Sequence, residues 1–206
     1  MANKKIVVIL GSPRKNGNSA LLAQSFIEGA EKKGADIETF FLQGMNIKPC
    51  SGCDKCIIDS GSGCVINDDM QKIYPSLIAA DVIVIASAIY WFNITGQTKL
   101  FIDRCYALTK VEGWSYTHAF KGKKIVIILT YGDTDPFTSG AVNALRSYQD
   151  CFNYVGAKIV GKIYGSALGA GKIKENKQLM KKAYNLGKEV SSEPKKKVKV
   201  KESPLL

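Results

Sequence analysis

Histidine is almost missing from this chain: His118 is the only one among 206 residues. A single imidazole excludes any metal centre built from several histidines. It also leaves a Ser-His-Asp triad only one candidate base, placed in the loop before the fourth expected strand. Long apolar runs are missing too. With no stretch of about 18 apolar residues, no transmembrane helix and no membrane partner are expected. The first five residues lead directly into a strand-like run without a small-residue cleavage site. No signal peptide is read there, and a cytoplasmic location is expected. Neither G-x-G-x-x-G nor a GK[ST] phosphate loop is present. Acidic residues are scarce, 18 Asp and Glu against 29 Lys and Arg, for a net charge of +11. Residues 172–206 hold eleven Lys and four Glu, so most of the excess lies in the last helix and tail. Such a surface attracts acidic partners. No basic stripe interleaved with stacking aromatics accompanies it, so nucleic acid is not an expected partner.

Cysteine, by contrast, is abundant. Four of the six cysteines fall at Cys50, Cys53, Cys56 and Cys64, a C-x2-C-x2-C-x7-C spacing. Two overlapping CxxC steps let three thiolates face one centre. Ser60, Gly61, Ser62 and Gly63 let the chain swing back with a fourth. A short loop can grip an iron–sulfur cubane in this way. A structural zinc and free redox-active thiols are the alternatives. In a reducing compartment a disulfide framework is the weaker reading. Cys105 and Cys151 fall in expected helices and read as buried apolar residues.

The rest of the chain alternates strands and helices. Continuous apolar runs at 5–10, 82–86 and 124–129 read as strands buried on both faces, with further strands at 36–42 and 157–164. Helical spacing marks residues 18–33, 68–80, 96–108, 139–154 and 174–190; Asp68 or Asp69 can cap the second of these. The alternation predicts an α/β three-layer sandwich around a five-stranded parallel sheet of order 2-1-3-4-5. One domain is expected over 1–192, with a cysteine-rich loop at 43–67 and a basic tail at 193–206. In the tail Val198 and Val200 alternate with lysines, a pattern an edge strand can use. Ligands of such sheets bind at the carboxyl ends of the strands, beside the order reversal.

The loop after the first strand reads Gly11-Ser12-Pro13-Arg14-Lys15-Asn16-Gly17-Asn18-Ser19. Small residues, hydroxyls, an arginine and N–H groups at a helix start suit a phosphate dianion. An ordinary polar turn capped at Asn18 is the alternative. This G-S-P-R-x-x-G-N-S segment resembles the NADPH-dependent FMN reductase branch of flavodoxin-like proteins. Three further segments resemble it as well: residues 64–70 (CVINDDM), 87–91 (SAIYW) and 96–104 (GQTKLFIDR). With the four cysteines included, residues 4–190 resemble the iron–sulfur flavoprotein family.

The resemblance implies FMN as cofactor. It places a phosphate loop on Ser12, Arg14, Asn18, Ser19 and Ala20, and an isoalloxazine loop on Ala88, Ile89, Tyr90, Trp91, Phe92 and Asn93. A third contact loop falls on Thr130, Tyr131, Gly132 and Asp133. Aromatic and apolar side chains can shield a flavin, and backbone N–H groups can read its polar edge. Asp103 and Arg104 read as a structural ion pair. The resemblance also implies a [4Fe–4S] cluster on the four cysteines and ferredoxin or another acidic protein as electron donor. Small acceptors such as oxygen species or quinones, and a homodimer or homotetramer, are implied as well. A cluster-free NAD(P)H-dependent FMN or quinone reductase is the first alternative. A non-catalytic flavin-binding redox sensor is the second.

Overall fold

The buried apolar runs form the centre of a sheet. In a computed structural model, which describes residues 3–59 and 62–192, strands β1 (Lys5–Leu10), β2 (Asp36–Phe41) and β3 (Val82–Tyr90) come first. A two-residue strand β4 (Asn93–Ile94), a hairpin of β5 (Thr109–Glu112) and β6 (Ser115–His118), and then β7 (Lys124–Tyr131) and β8 (Lys158–Ser166) complete the strands. The sheet order is β2-β1-β3-β7-β8 with every pairing parallel, which is the expected 2-1-3-4-5 arrangement. The 193–206 tail, with its edge-strand pattern, and Ser60 and Gly61 of the cysteine loop lie outside the described residues. Among the described residues no helix is long and apolar enough to cross a membrane.

Strand alternation sends successive side chains to opposite faces. Ile6, Val8, Val82, Val84, Val126 and Ile128 pack against helices α1 (Asn18–Glu31) and α6 (Lys177–Ser192). Val7, Ile9, Ile83, Ile85, Ile125 and Ile127 pack on the other face. That face is covered by α3 (Met70–Ala79), α4 (Gly96–Arg104) and α5 (Ala141–Tyr154). A single turn, α2 (Lys55–Ile58), interrupts the cysteine loop. On the first face α1 and α6 approach at two glycines. A Cβ on Gly29 would run into the Tyr184 carbonyl, and one on Gly187 into the Phe26 carbonyl.

Three local expectations change. β3 runs four residues past Ala86 and turns back on itself through Trp91 and Phe92 to pair with β4. Both turn residues have positive φ, 46° and 67°. The segment expected to continue helix 96–108 tightens into a 3-10 turn at Cys105–Leu108. His118, expected in a loop, lies on β6. Its Nδ1 accepts the Phe120 N–H at 3.0 Å, so Nε2 carries the proton and donates to the Cys105 carbonyl at 3.1 Å. Both nitrogens are therefore used structurally, and burial holds the ring's pKa below the ordinary histidine value.

Candidate functional site

Buried hydroxyls hold the carboxyl ends of β1 and β3 together. The Gly11 N–H donates to the Ala86 carbonyl at 2.8 Å, and the Thr95 hydroxyl donates to the Gly11 carbonyl at 2.6 Å. Thr95 also caps α4 by accepting the Thr98 N–H. The Thr98 hydroxyl lies 2.8 Å from Thr95 Oγ1 and 3.2 Å from Ser87 Oγ. A Cβ on Gly11 would collide with the Thr98 hydroxyl. This network fixes the loop after β1 against the end of β3.

A cavity of about 230 Å³ opens between these loops. Ser12, Arg14 and Asn18 line one side, Ala88, Ile89 and Tyr90 the second, and Thr130, Tyr131 and Gly132 the third. Helix α1 starts there with Gly17 as N-cap and no side-chain cap. The N–H groups of Asn18, Ser19 and Ala20 are thus the open donors of its first turn. Ser12 Oγ accepts the Arg14 N–H at 3.2 Å, which curls the loop around that end. The Ser19 hydroxyl is buried and has no hydrogen-bond partner. An uncapped helix start with an arginine beside it and an unsatisfied hydroxyl nearby fits a phosphate dianion. The donor set therefore suits the phosphate end of FMN.

Not every expected residue lines the cavity. Asn18 does so, but its side chain works as a tie. Nδ2 donates to the carbonyls of Ala167 at 3.3 Å and Gly169 at 2.9 Å, while Oδ1 accepts the Ile173 N–H. Ser19 and Ala20 are buried in α1. Trp91 is 93% exposed and Phe92 54% exposed at the hairpin tip, where their rings meet edge to face. Asn93 accepts the Ile94 N–H within the same hairpin. Asp133 accepts from Thr134 N–H and the Thr138 hydroxyl, bonds that hold its carboxyl below the usual range while it shapes its own turn. Gly17, Ala167, Leu168 and Gly169 line the cavity without being among the expected site residues. The glycine-rich run after β8 is the one available signal. Pairing of β8 with β7, the Ala167 N–H bond to the Tyr131 carbonyl and the long-range tie from Asn18 bring it to the site.

The four clustered cysteines converge elsewhere. Cys50, Cys53, Cys56 and Cys64 all line one hollow of about 20 Å³, closed by Asp103 and Arg104 from the far end of α4 and by Tyr106 from the 3-10 turn that follows. The Lys55 N–H and the Ser51 hydroxyl near Cys53 favour its thiolate and lower its pKa. Burial pushes the Cys56 thiol up. Among the described residues no three His, Cys, Asp or Glu are gathered closely enough for one metal ion. In a cubane each thiolate binds a different iron, so its ligands stand farther apart than those of a single ion.

Asp103 and Arg104 do not pair with each other, contrary to expectation, because adjacent helical residues point apart. Asp103 takes Lys99 one turn back. Arg104, fully buried, forms a two-point pair with Asp68, at 2.5 Å from Nη1 and 3.1 Å from Nη2. Asp68 also accepts N–H bonds from Lys48 and Met70. Burial alone would raise its pKa, but these bonds hold it below the usual range. Cys105 is buried as expected, whereas Cys151 is only partly buried. The cysteine hollow and the phosphate-loop cavity share no lining residue. Helix α4, nine residues or about 13 Å long, starts beside one and ends at the other.

The sequence profile of the NADPH-dependent FMN reductase family matches residues 4–170. The chain belongs to this family. As a member it is a flavin-dependent oxidoreductase with FMN as its cofactor. An iron-sulfur flavoprotein of Methanocaldococcus jannaschii is 32% identical over 168 residues, covering 81% of this chain and 80% of that protein. A protein of Bacillus subtilis named as an NAD(P)H-dependent FMN-containing oxidoreductase is 26% identical, covering 88% and 96%. Among solved structures, an NAD(P)H:quinone oxidoreductase from Methanothermobacter marburgensis superposes with a TM-score of 0.72 at 16% identity, over 92% of this chain and all of that one. At that identity the likeness speaks to the fold.

Proposed function

We propose that this family member carries a [4Fe–4S] cluster on Cys50, Cys53, Cys56 and Cys64 beside its FMN, and passes electrons from a protein donor to a small acceptor. The observation that carries this reading is that all four cysteines line one hollow. Four soft thiols in one loop are a donor set suited to iron and sulfide.

Arg14 and the N–H groups of Asn18, Ser19 and Ala20 would hold the phosphate. Ala88, Ile89, Tyr90, Thr130, Tyr131 and Gly132, which line the same cavity, would enclose the ring. Bound FMN supplies the capacity to take two electrons as a hydride or one at a time. Trp91, Phe92 and Asn93 stand at the hairpin tip, where they can shield the ring or meet a second subunit. The separation of hollow and cavity along α4 favours exchange between cofactors across a subunit contact in a homodimer or homotetramer. The positive surface suits ferredoxin or a similar acidic donor, and an electron-transfer rate indifferent to ionic strength would count against that pairing. Oxygen species and quinones are the acceptors in view, and a cytoplasmic setting would keep the thiols reduced.

The test is iron, acid-labile sulfide and FMN per chain, measured on protein purified without oxygen. Roughly four irons and four sulfides beside one FMN are expected. Cys53→Ala should then lose iron and keep FMN. A second reading, a cluster-free NAD(P)H-dependent FMN or quinone reductase, is favoured by the small size of the hollow. FMN without iron after anaerobic reconstitution, with rapid flavin bleaching by NADPH, would establish it.

A further inference from the structure

The guanidinium of Arg104 reaches beyond its carboxylate partner. All four of its terminal N–H bonds have acceptors. Nη1 donates to the Lys48 carbonyl at 2.9 Å and to Asp68 Oδ2, and Nη2 donates to Asp68 Oδ1 and to Cys64 Sγ at 3.4 Å. Only Nε has no partner. The side chains of Arg104 and Asp68 are both completely buried. A buried guanidinium that donates to a carboxylate and a sulfur at once is a fixed positive charge aimed at that sulfur. The Cys64 limb is held separately, through its backbone. Gln71 Nε2 donates to the Cys64 carbonyl at 2.8 Å and the Ile66 carbonyl at 2.9 Å. Tethering the loop therefore does not depend on the bond to sulfur.

Resting on the cluster reading above, we propose that Arg104 is a positioning residue that sets the reduction potential of the iron–sulfur centre through Cys64. Asp68 tunes the same potential in the opposite sense. Reduction adds one electron and one negative charge to the centre. A cation hydrogen-bonded to a ligand sulfur stabilises the reduced form and raises the potential, whereas the carboxylate beside that cation offsets part of its field. Lysine keeps the charge but presents it at one point, so it cannot span Asp68, the Lys48 carbonyl and Cys64 as the fork does.

The experiment is a redox titration of the cluster, followed by its EPR signal, in anaerobically purified and reconstituted full-length protein. Wild type is compared with Arg104→Lys, Asp68→Asn and Gln71→Ala. Arg104→Lys should lower the ratio of reduced to oxidised cluster about tenfold at a fixed ambient potential, which is about 59 mV for a one-electron couple. Asp68→Asn should raise it. Gln71→Ala loosens the limb without touching the sulfur and should leave the ratio unchanged. Opposite signs from two partners of one buried pair are not produced by general loosening, which moves both the same way. If Asp68→Asn does not fold, Arg104→Lys against Gln71→Ala decides alone. An unchanged potential in Arg104→Lys, an equal fall in Gln71→Ala, or shifts of one sign in both members of the pair overturns the inference and leaves the cluster reading standing. A wild-type protein that takes up no iron and sulfide on reconstitution removes both.

Discussion

The phosphate loop and the cysteine loop are built from opposite materials. The first is mostly backbone: the uncapped start of α1, a glycine N-cap and carbonyls pinned by Thr95 and by the Asn18 side chain. The second is mostly side chain: four cysteines lining a hollow, held by one buried fork on Asp68 and one glutamine. A backbone site is set by where strands end and a helix begins, so it tolerates most substitutions that add no Cβ. A side-chain site depends on a few bonds, each of which a single substitution can remove. A β–α crossover thus provides an anion site almost without special residues. A cluster site needs its residues individually.

The largest effect should come from Arg104→Ala. It leaves Asp68 buried without its cation, at a cost of about 3–5 kcal/mol, read as a drop in the urea midpoint. A loss under about 1 kcal/mol would show that the cysteine loop stands without its fork and would blur the contrast. Next is Arg14→Ala, which removes the one charged donor from a site whose other donors are mostly backbone N–H groups. FMN should bind more weakly by roughly 1.5–3 kcal/mol by fluorescence titration, with iron content unchanged. Gly17→Ala tests the backbone directly. Its Cβ would stand 3.1 Å from the Arg14 Cβ and carbonyl and 3.2 Å from Ser12 Oγ. The loop must give slightly, and FMN affinity should fall by about 1 kcal/mol with no change in the cluster. If Gly17→Ala weakened FMN far more than Arg14→Ala did, the backbone rather than the guanidinium would be the main source of phosphate affinity.

The smallest effect concerns His118, outside both sites. Its folded pKa lies below the ordinary 6.5, because burial disfavours the cation. As pH falls through about 6.5 the unfolded chain takes a proton that the folded chain does not, so stability declines below that pH. His118→Gln should be somewhat less stable at pH 7.5 but flatter between pH 7 and 5 in urea titrations. An unchanged slope would mean that another group titrates there.

Much of the frame is legible in the order of residues alone. The runs at 5–10, 82–86 and 124–129 are apolar on nearly every residue, which only a strand covered on both faces tolerates. The cysteine spacing is an equally direct signal. Other features carry no local signal. The Trp91–Phe92 turn takes positive φ without the Asn-Gly pair that usually marks such turns, so the residue pattern ends β3 four residues early. The cavity wall at 167–169 is set by the end of β8 beside β7, where the Ala167 N–H donates to the Tyr131 carbonyl, and by an asparagine about 150 positions away. The partner of Arg104 lies 36 residues back rather than next door.

Periodicity and spacing act between near neighbours. They are enough to set the alternation of strands and helices, a turn with the residues to receive a phosphate and four thiols within fifteen residues, and the alternation in turn carries the parallel order of the sheet. Which side chains meet is a matter of packing. Folding puts the cysteines at the end of α4 away from the phosphate loop, gives Arg104 to Asp68 and Cys64, and turns Asn18 from a cap into a tie. Such contacts join residues far apart in the chain, and the close packing of the whole core settles them.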